Sequence, residues 1–282
     1  MIAYLTGDYL SQDQIHISPD DRGFLLADGA YEVIRAYRGR LFRLDAHLER
    51  LAHSLHELGI GGLDVASLGQ VADRLVRDNG LTGGDASVYI QVTRGAGPRS
   101  RPFPDPPIAP TVYGAASAFA PPTEQQQAGI KIALLPDIRW ARCDIKSISL
   151  LPTVLAAQRA KELGVDEAVF VRDGAITEGT HTNFAALLDG MLVTPPRSQY
   201  VLAGVTRQTV LELCRELGIP FEEFPILEHW LDHARECMLL STFLEVMPVV
   251  EIDGRSVGDG RPGPITRRLQ QAFAELTSRL QR

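Results

Sequence analysis

Four times along this chain an apolar, strand-like stretch runs into a two-residue break that ends in glycine: Arg38-Gly39, Asp173-Gly174, Asp189-Gly190 and Asp253-Gly254. Such dipeptides supply the positive φ angles of the tight turns that join neighbouring antiparallel strands. A doubly wound parallel sheet has little use for them, because its strands are joined through helices. The chain is therefore constrained to a mixed α/β architecture with more antiparallel hairpins than parallel crossovers.

The remaining pattern fills in that outline. Residues 2–5 read as a first strand, and Gly29-Ala30-Tyr31-Glu32-Val33-Ile34-Arg35-Ala36-Tyr37 nearly alternates apolar with polar, which predicts a second. Asp45 is the expected N-cap of a helix with the stripe Leu48, Leu51, Leu55 and Leu58. A second helix carries Leu68, Val71, Leu75 and Val76 and stops at Asn79-Gly80, and residues 86–93 and 111–119 read as strands. Residues 120–128 hold two consecutive prolines and no periodicity, which predicts a linker. It separates a smaller N-terminal α/β domain, 1–119, from a larger C-terminal domain, 129–282, rich in antiparallel strands. There the spacing predicts a strand over 130–135, helices from Pro152 to Gly164 and after Gly204, and a strand over 238–241. A last helix starts at Pro264, with Leu269, Phe273, Leu276 and Leu280 on one face.

Composition removes several classes of function. A net charge of −7 over 282 residues leaves no basic footprint for nucleic acid or an anionic membrane. Three dispersed cysteines (Cys143, Cys214 and Cys237) disfavour a disulfide framework or a zinc ribbon and fit a reducing compartment. No export or membrane segment is recognisable, so a cytoplasmic location is expected. A Walker loop, a Gly-x-Gly-x-x-Gly fingerprint and a Gly-x-Ser-x-Gly elbow are all missing. His47, His53 and His56 lack metal-ligand spacing; an exposed polar helix face is expected for them, and no metal site.

The basic residues narrow the search for a nucleophilic amine, because only Lys131, Lys146 and Lys161 are lysines. Lys161 lies beside Glu162 on a solvated helix face, and Lys131 alternates with Ile130 and Ile132. Lys146, in Asp144-Ile145-Lys146-Ser147, sits among small polar and apolar residues near Arg142. That setting suits a depressed pKa and a Schiff base, while the plainer reading is a structural amine bonded to backbone carbonyls. Gly204-Val205-Thr206 would open a helix whose free N–H groups can hold phosphate, if it faces a cavity. Arg50, off the apolar stripe, and Ser241-Thr242, at a strand end, could serve the same anion. Glu178, in Thr177-Glu178-Gly179-Thr180, could keep a heterocyclic nitrogen protonated or be a turn residue.

Taken in order, Tyr31-Glu32, Phe42-Arg43-Leu44-Asp45-x-His47-Leu48-x-Arg50-Leu51, Asp144-Ile145-Lys146-Ser147, Thr177-Glu178-Gly179-x-x-x-Asn183, Gly204-Val205-Thr206-Arg207 and Ser241-Thr242 resemble one family. It is the fold-type IV pyridoxal-phosphate enzymes: D-amino-acid transaminases, branched-chain aminotransferases and aminodeoxychorismate lyases. Within it, Asp137-Ile138-Arg139-Trp140-x-Arg142-Cys143-Asp144-Ile145-Lys146-Ser147 and Val92-Thr93-Arg94-Gly95-x-x-Pro98-Arg99 are most similar to the D-amino-acid transaminases. The resemblance implies a homodimer that moves an amino group from a D-amino acid, such as D-alanine or D-glutamate, to a 2-oxo acid. Lys146 would be the Schiff-base lysine and proton shuttle, and Glu178 the partner of the pyridine nitrogen. Arg50, Gly204, Val205, Thr206, Ser241 and Thr242 would hold the cofactor phosphate, and Tyr31 would line the substrate pocket.

Two departures bear on substrate. An Arg-x-His pair receives the α-carboxylate in the D-specific members, whereas this chain has Arg99-Ser100-Arg101. Arg101 adds a permanent charge where histidine would titrate, which suits acidic D-substrates or a rearranged carboxylate trap. His181 and Phe243 stand where smaller polar residues are usual. The competing expectations are a branched-chain L-aminotransferase, an R-selective amine transaminase, a lyase that needs no amino acceptor, and a module that binds the cofactor without turnover.

Overall fold

The computed structural model describes residues 1–280. The chain divides into two compact units, one of Met1–Ala120 with Ile145–Ser149, the other of Pro121–Asp144 with Leu150–Arg279. Strands of the first are β1 (Ile2–Leu5), β2 (Asp8–Ser11), β3 (Gly29–Tyr37), β4 (Arg40–Leu41), β5 (Ala86–Thr93) and β6 (Thr111–Ala118). They form one sheet in the order β2-β1-β6-β5-β3-β4, antiparallel at every pairing. Alternation sets its faces: Ala30, Ile34 and Ala36 of β3 and Ala86, Val88, Ile90 and Val92 of β5 are fully buried. Helices α1 (Arg22–Leu26), α2 (Leu44–Glu57) and α3 (Leu68–Asp78) accompany the sheet. Leu51 and Leu55 of α2 and Leu68, Val71, Leu75 and Val76 of α3 complete the core; each such side chain contributes about 1.5–3 kcal/mol on burial.

The start of α2 differs from expectation. Its N-cap is Arg43, in the left-handed region at φ 51°, and Asp45 lies inside the first turn. A carboxylate there still favours the helix, because it meets the positive end of the dipole.

The second unit contains β7 (Ile130–Pro136), β8 (Glu167–Arg172), β9 (Ala175–Gly179), β10 (Asn183–Leu188), β11 (Met191–Thr194), β12 (Phe221–Glu223), β13 (Ile226–Leu227), β14 (Glu236–Ser241), β15 (Glu245–Ile252) and β16 (Arg255–Ser256). Its helices are α4 (Thr123–Ala128), α5 (Leu151–Leu163), α6 (Val205–Leu217) and α7 (Pro264–Arg279). The sheet runs β12-β11-β10-β14-β15-β7-β8-β9-β13, with β16 beside β15. An extra pairing of β10 with β9, at Asn183 opposite Glu178, closes six of these strands into a ring. Parallel pairs are confined to β15–β7, β7–β8 and β11–β12; α5 makes the crossover between β7 and β8, as parallel neighbours require. The Asp173-Gly174 turn takes φ 52° and 75°, the two positive values its hairpin needs. Residues expected to be an irregular linker contain α4: after Pro122, Glu124, the three glutamines and Ala128 are good helix formers that leave no apolar stripe to read.

No helix among the described residues is long and apolar enough to cross a membrane. The three cysteines are buried and unpaired, and burial pushes the Cys143 and Cys214 thiols up to about 11, which removes them as ready nucleophiles.

Candidate active site

In the first unit the chemistry begins on β3, where successive side chains point to opposite faces. Glu32 occupies the apolar face and is fully buried. A lone carboxylate there would be costly, and α2 supplies its partners one turn apart. Arg50 donates through Nε to Oε1 at 2.6 Å and through a terminal nitrogen to Oε2 at 2.9 Å. His47 Nδ1 lies 2.8 Å from Oε2; because a carboxylate only accepts, the ring proton is on Nδ1. Burial alone would raise the Glu32 carboxyl, but Arg50 and His47 outweigh it and hold the group well below the usual carboxylate range. Burial also pushes the His47 imidazole down, against the pull of Glu32. His47 is thus a buried residue, a correction to the exposed face expected for it; His53 and His56 are exposed. It lies four residues before Leu51, on the same inward face.

The same helix anchors Lys146. The Ser54 hydroxyl accepts from the Lys146 N–H at 3.1 Å. The Lys146 carbonyl accepts from Tyr31 N–H at 3.0 Å, and Ile148 N–H donates to Gly29 at 3.0 Å. Residues 146–148 thereby extend the sheet beside the start of β3, with Ala30 bridged to Ser147. The Lys146 amine is half-buried and lies 4.3 Å from the Tyr31 ring centroid. Lys131 is exposed and paired with Glu251 at 3.0 Å, and Lys161 is exposed on α5. Of the three amines, only that of Lys146 is half-buried and faces an aromatic ring.

In the second unit Glu178 sits at the seam that closes the ring of strands. Its Oε1 accepts from Arg139 at 2.5 Å, and its Oε2 from Leu202 N–H at 2.9 Å and Asn183 Nδ2 at 3.2 Å. Arg139 is itself clamped by Asp137, through Nε and a terminal nitrogen at 2.9 Å each. Burial opposes the Arg139 charge, yet the two carboxylates hold it firmly protonated. The Asn183 amide also donates to the Leu202 carbonyl at 3.0 Å, which sets the approach to α6.

Gly204 precedes α6 and leaves no room for a larger residue, because a Cβ there would overlap the Asn183 amide oxygen. Val205 and Thr206 are buried, and among the described residues no acceptor meets their backbone N–H groups. Buried first-turn donors without a partner suit an anion. Because Asn183 pairs with Leu240, Ser241 ends β14 and Thr242 follows it at the end of the sheet where β9 and β10 meet. The Ser241 hydroxyl accepts from Leu244 N–H at 3.2 Å.

Thus Tyr31, Arg50 and Lys146 gather around β3 and α2, while Glu178, Gly204, Val205 and Thr206 gather around Asn183, with Ser241-Thr242 at the same sheet end. Arg99 and Arg101 stand apart from these contacts on the exposed loop after β5. His181 is half-exposed, with Nδ1 2.9 Å from the buried Glu167.

Amino-transferase class IV is the family whose model matches residues 29–252. The chain belongs to the class IV aminotransferases. It is 40% identical to the D-alanine aminotransferase of Staphylococcus haemolyticus over 271 residues, 96% of this chain and 95% of that one. Likeness to the D-alanine aminotransferase of Bacillus licheniformis is 38% over 274 residues, 97% and 96% of the two chains. Among solved structures, the Escherichia coli branched-chain amino acid aminotransferase aligns with a TM-score of 0.91 at 26% identity, covering 98% of this chain and 94% of that one. A fold IV transaminase from Curtobacterium pusillum aligns at 0.83 and 25%, covering 96% and 93%.

Two features of this class IV chain escaped sequence reading. Glu32 stands at an even position of β3, among Ala30, Ile34 and Ala36, and a charge on the apolar parity is the available sign of a buried ion pair. Arg139 was part of a motif without a role; only the structure joins it to Glu178 across 39 residues.

Proposed function

We propose that the chain is a pyridoxal-phosphate-dependent transaminase that moves an amino group from a D-amino acid, D-alanine or D-glutamate among them, to a 2-oxo acid by a ping-pong mechanism. It would work in the cytoplasm as a homodimer. When bound, the cofactor supplies an electron sink for the charge developed at the substrate Cα. The residues present fit that group: first-turn N–H donors of α6 without an acceptor suit its phosphate, and a fixed carboxylate suits a protonated ring nitrogen. Arg50, Ser241 and Thr242 complete the phosphate donors. Glu32 orients Arg50, since a bidentate pair fixes the guanidinium plane.

Lys146 would hold the cofactor through its amine, and Nζ, when free, would move the proton at the substrate Cα, one base on one face. Its backbone bonds to Ser54 and Tyr31 keep the amine placed when its side chain is released. Glu178 would face the ring nitrogen and favour its protonated form, and Arg139, Asn183 and the Leu202 N–H hold that carboxylate in place by hydrogen bonds. Arg99 and Arg101 receive the substrate carboxylate, and Tyr31 and His181 border the substrate.

The observation that carries this reading is the 40% identity to a D-alanine aminotransferase across 96% of the chain. The high structural likeness to branched-chain enzymes favours a second reading, L-specific transamination, although identity there is only 26%. Mixing the holoenzyme separately with D-alanine and L-leucine, and following the cofactor absorbance without a 2-oxo acid, separates them. Conversion by D-alanine supports the proposal; conversion by L-leucine and by no D-amino acid overturns it.

A further inference from the structure

We propose that Arg22 is a positioning residue for substrate recognition: its buried guanidinium fixes the backbone on either side of Arg101 and so aims a side chain that binds the substrate carboxylate. The inference rests on the reading of Arg99 and Arg101 as carboxylate ligands.

Arg22 opens α1 and is 2% exposed. Its Nε donates to Asp28 Oδ2 at 2.8 Å. Its two terminal nitrogens donate to the carbonyls of Ser100, at 2.5 Å, and Arg101, at 3.3 Å. Those carbonyls belong to the two peptide planes that flank the Arg101 Cα. With both planes tied to one rigid fork, φ and ψ of Arg101 are set, and so is the direction of its Cα–Cβ bond. Pro102 narrows the same residue further, because the position before proline is held to extended backbone.

The support beneath Arg22 is rigid as well. The Asp21 side chain caps α1 by accepting from Gly23 N–H at 2.8 Å, and accepts again from the Thr93 hydroxyl at 2.9 Å. Arg94 grips the other side of Asp28, with Nε 2.7 Å from Oδ2 and a terminal nitrogen 2.9 Å from Oδ1. It also donates to the carbonyls of Gly59, at 2.9 Å, and Leu58, at 2.7 Å. One half-buried carboxylate thus serves two buried cations, whose other hydrogen bonds go to backbone carbonyls.

The side chains this frame presents are free to meet a ligand. Arg99 and Arg101 are exposed, and among the described residues neither guanidinium has a hydrogen-bond or ion-pair partner. Buried arginines hold the main chain still so that exposed ones keep their charge for an incoming anion. A lysine at position 22 could still pair with Asp28 but could not reach both carbonyls in fork geometry.

The test is a double-mutant cycle on the holoenzyme: the native chain, Arg22→Lys, the pair Arg99→Gln with Arg101→Gln, and all three together, each assayed for KM and kcat with D-alanine. In the native background Arg22→Lys should raise KM about 5- to 30-fold, the equivalent of returning one residue's backbone freedom, with a smaller change in kcat. In the Arg99→Gln, Arg101→Gln background it should change KM by less than about twofold, because the groups it aims are gone. An equal factor in both backgrounds, or no rise in the native one, overturns the inference, since a merely structural loss would ignore positions 99 and 101. Should Arg22→Lys fail to fold, Asp28→Asn, which unseats the same guanidinium, runs the same cycle under the same criteria. Unchanged KM in the Arg99→Gln, Arg101→Gln pair with D-alanine still consumed removes the carboxylate ligands and the inference with them. Absence of any D-amino-acid turnover in the native enzyme instead refutes the functional reading.

Discussion

Replacing Glu32 by glutamine removes the one charge that Arg50 and His47 share while keeping the side chain's shape. Glu32 is fully buried and the Arg50 side chain only 10% exposed, so little water is on hand to replace the lost carboxylate. Removing one partner of a buried pair costs about 3–5 kcal/mol, because the other charge is left uncompensated. The glutamine oxygen still accepts one bond, which places the loss near the lower figure. At about 2–4 °C per kcal/mol for chains of 150–250 residues, the thermal midpoint should fall by roughly 6–12 °C. Calorimetry of the cofactor-stripped protein near neutral pH reads this without interference from phosphate at Arg50. The double variant Glu32→Gln, Arg50→Met should recover part of the loss, because no uncompensated charge is then left buried. A fall of less than about 2 °C in the single variant, well under the cost above, or a double variant lower than the single, would refute the reasoning.

Acid should weaken the fold in two stages. His47 is held below its unfolded value of about 6.5, so as pH falls through that value the unfolded chain takes up a proton that the folded chain resists. Glu32, Asp28 and Asp137 are held below the unfolded carboxylate value of about 4; their contribution is complete above it and is lost as pH falls through their folded values. Thermal midpoints followed against pH should lose the first stage and keep the second in His47→Gln. Gly204→Ala should cost about 1–3 kcal/mol by overpacking against Asn183 and weaken phosphate binding measured by titration; adding Asn183→Ser should restore part of both.

The fold was legible wherever a single local rule decides. Asp173-Gly174, Asp189-Gly190 and Asp253-Gly254 each join two antiparallel strands, as their turn chemistry requires. Lys146 stood out because three lysines leave few choices and two of them lie on solvated faces. Less could be read where a partner is distant in the chain. Glu32 depends on residues 15 and 18 positions later, so alternation can set it on the apolar face but cannot say what pairs with it there. His47 was misjudged for the same reason: the helix stripe gives the apolar direction but not the buried acid that accepts a polar residue there. Residues 145–149 pack with the first unit through bonds to β3 and α2, which nothing in their own sequence announces. Arg22 and Arg94 are joined only through Asp28, a link that no local pattern carries.

The role given to Lys146 is open to direct chemical capture. Borohydride reduction of the holoenzyme, followed by proteolysis and mass spectrometry, should find the cofactor attached to the peptide containing Lys146, with Lys131 and Lys161 unmodified. Attachment at either of those two lysines, or no attachment at all, would contradict the account.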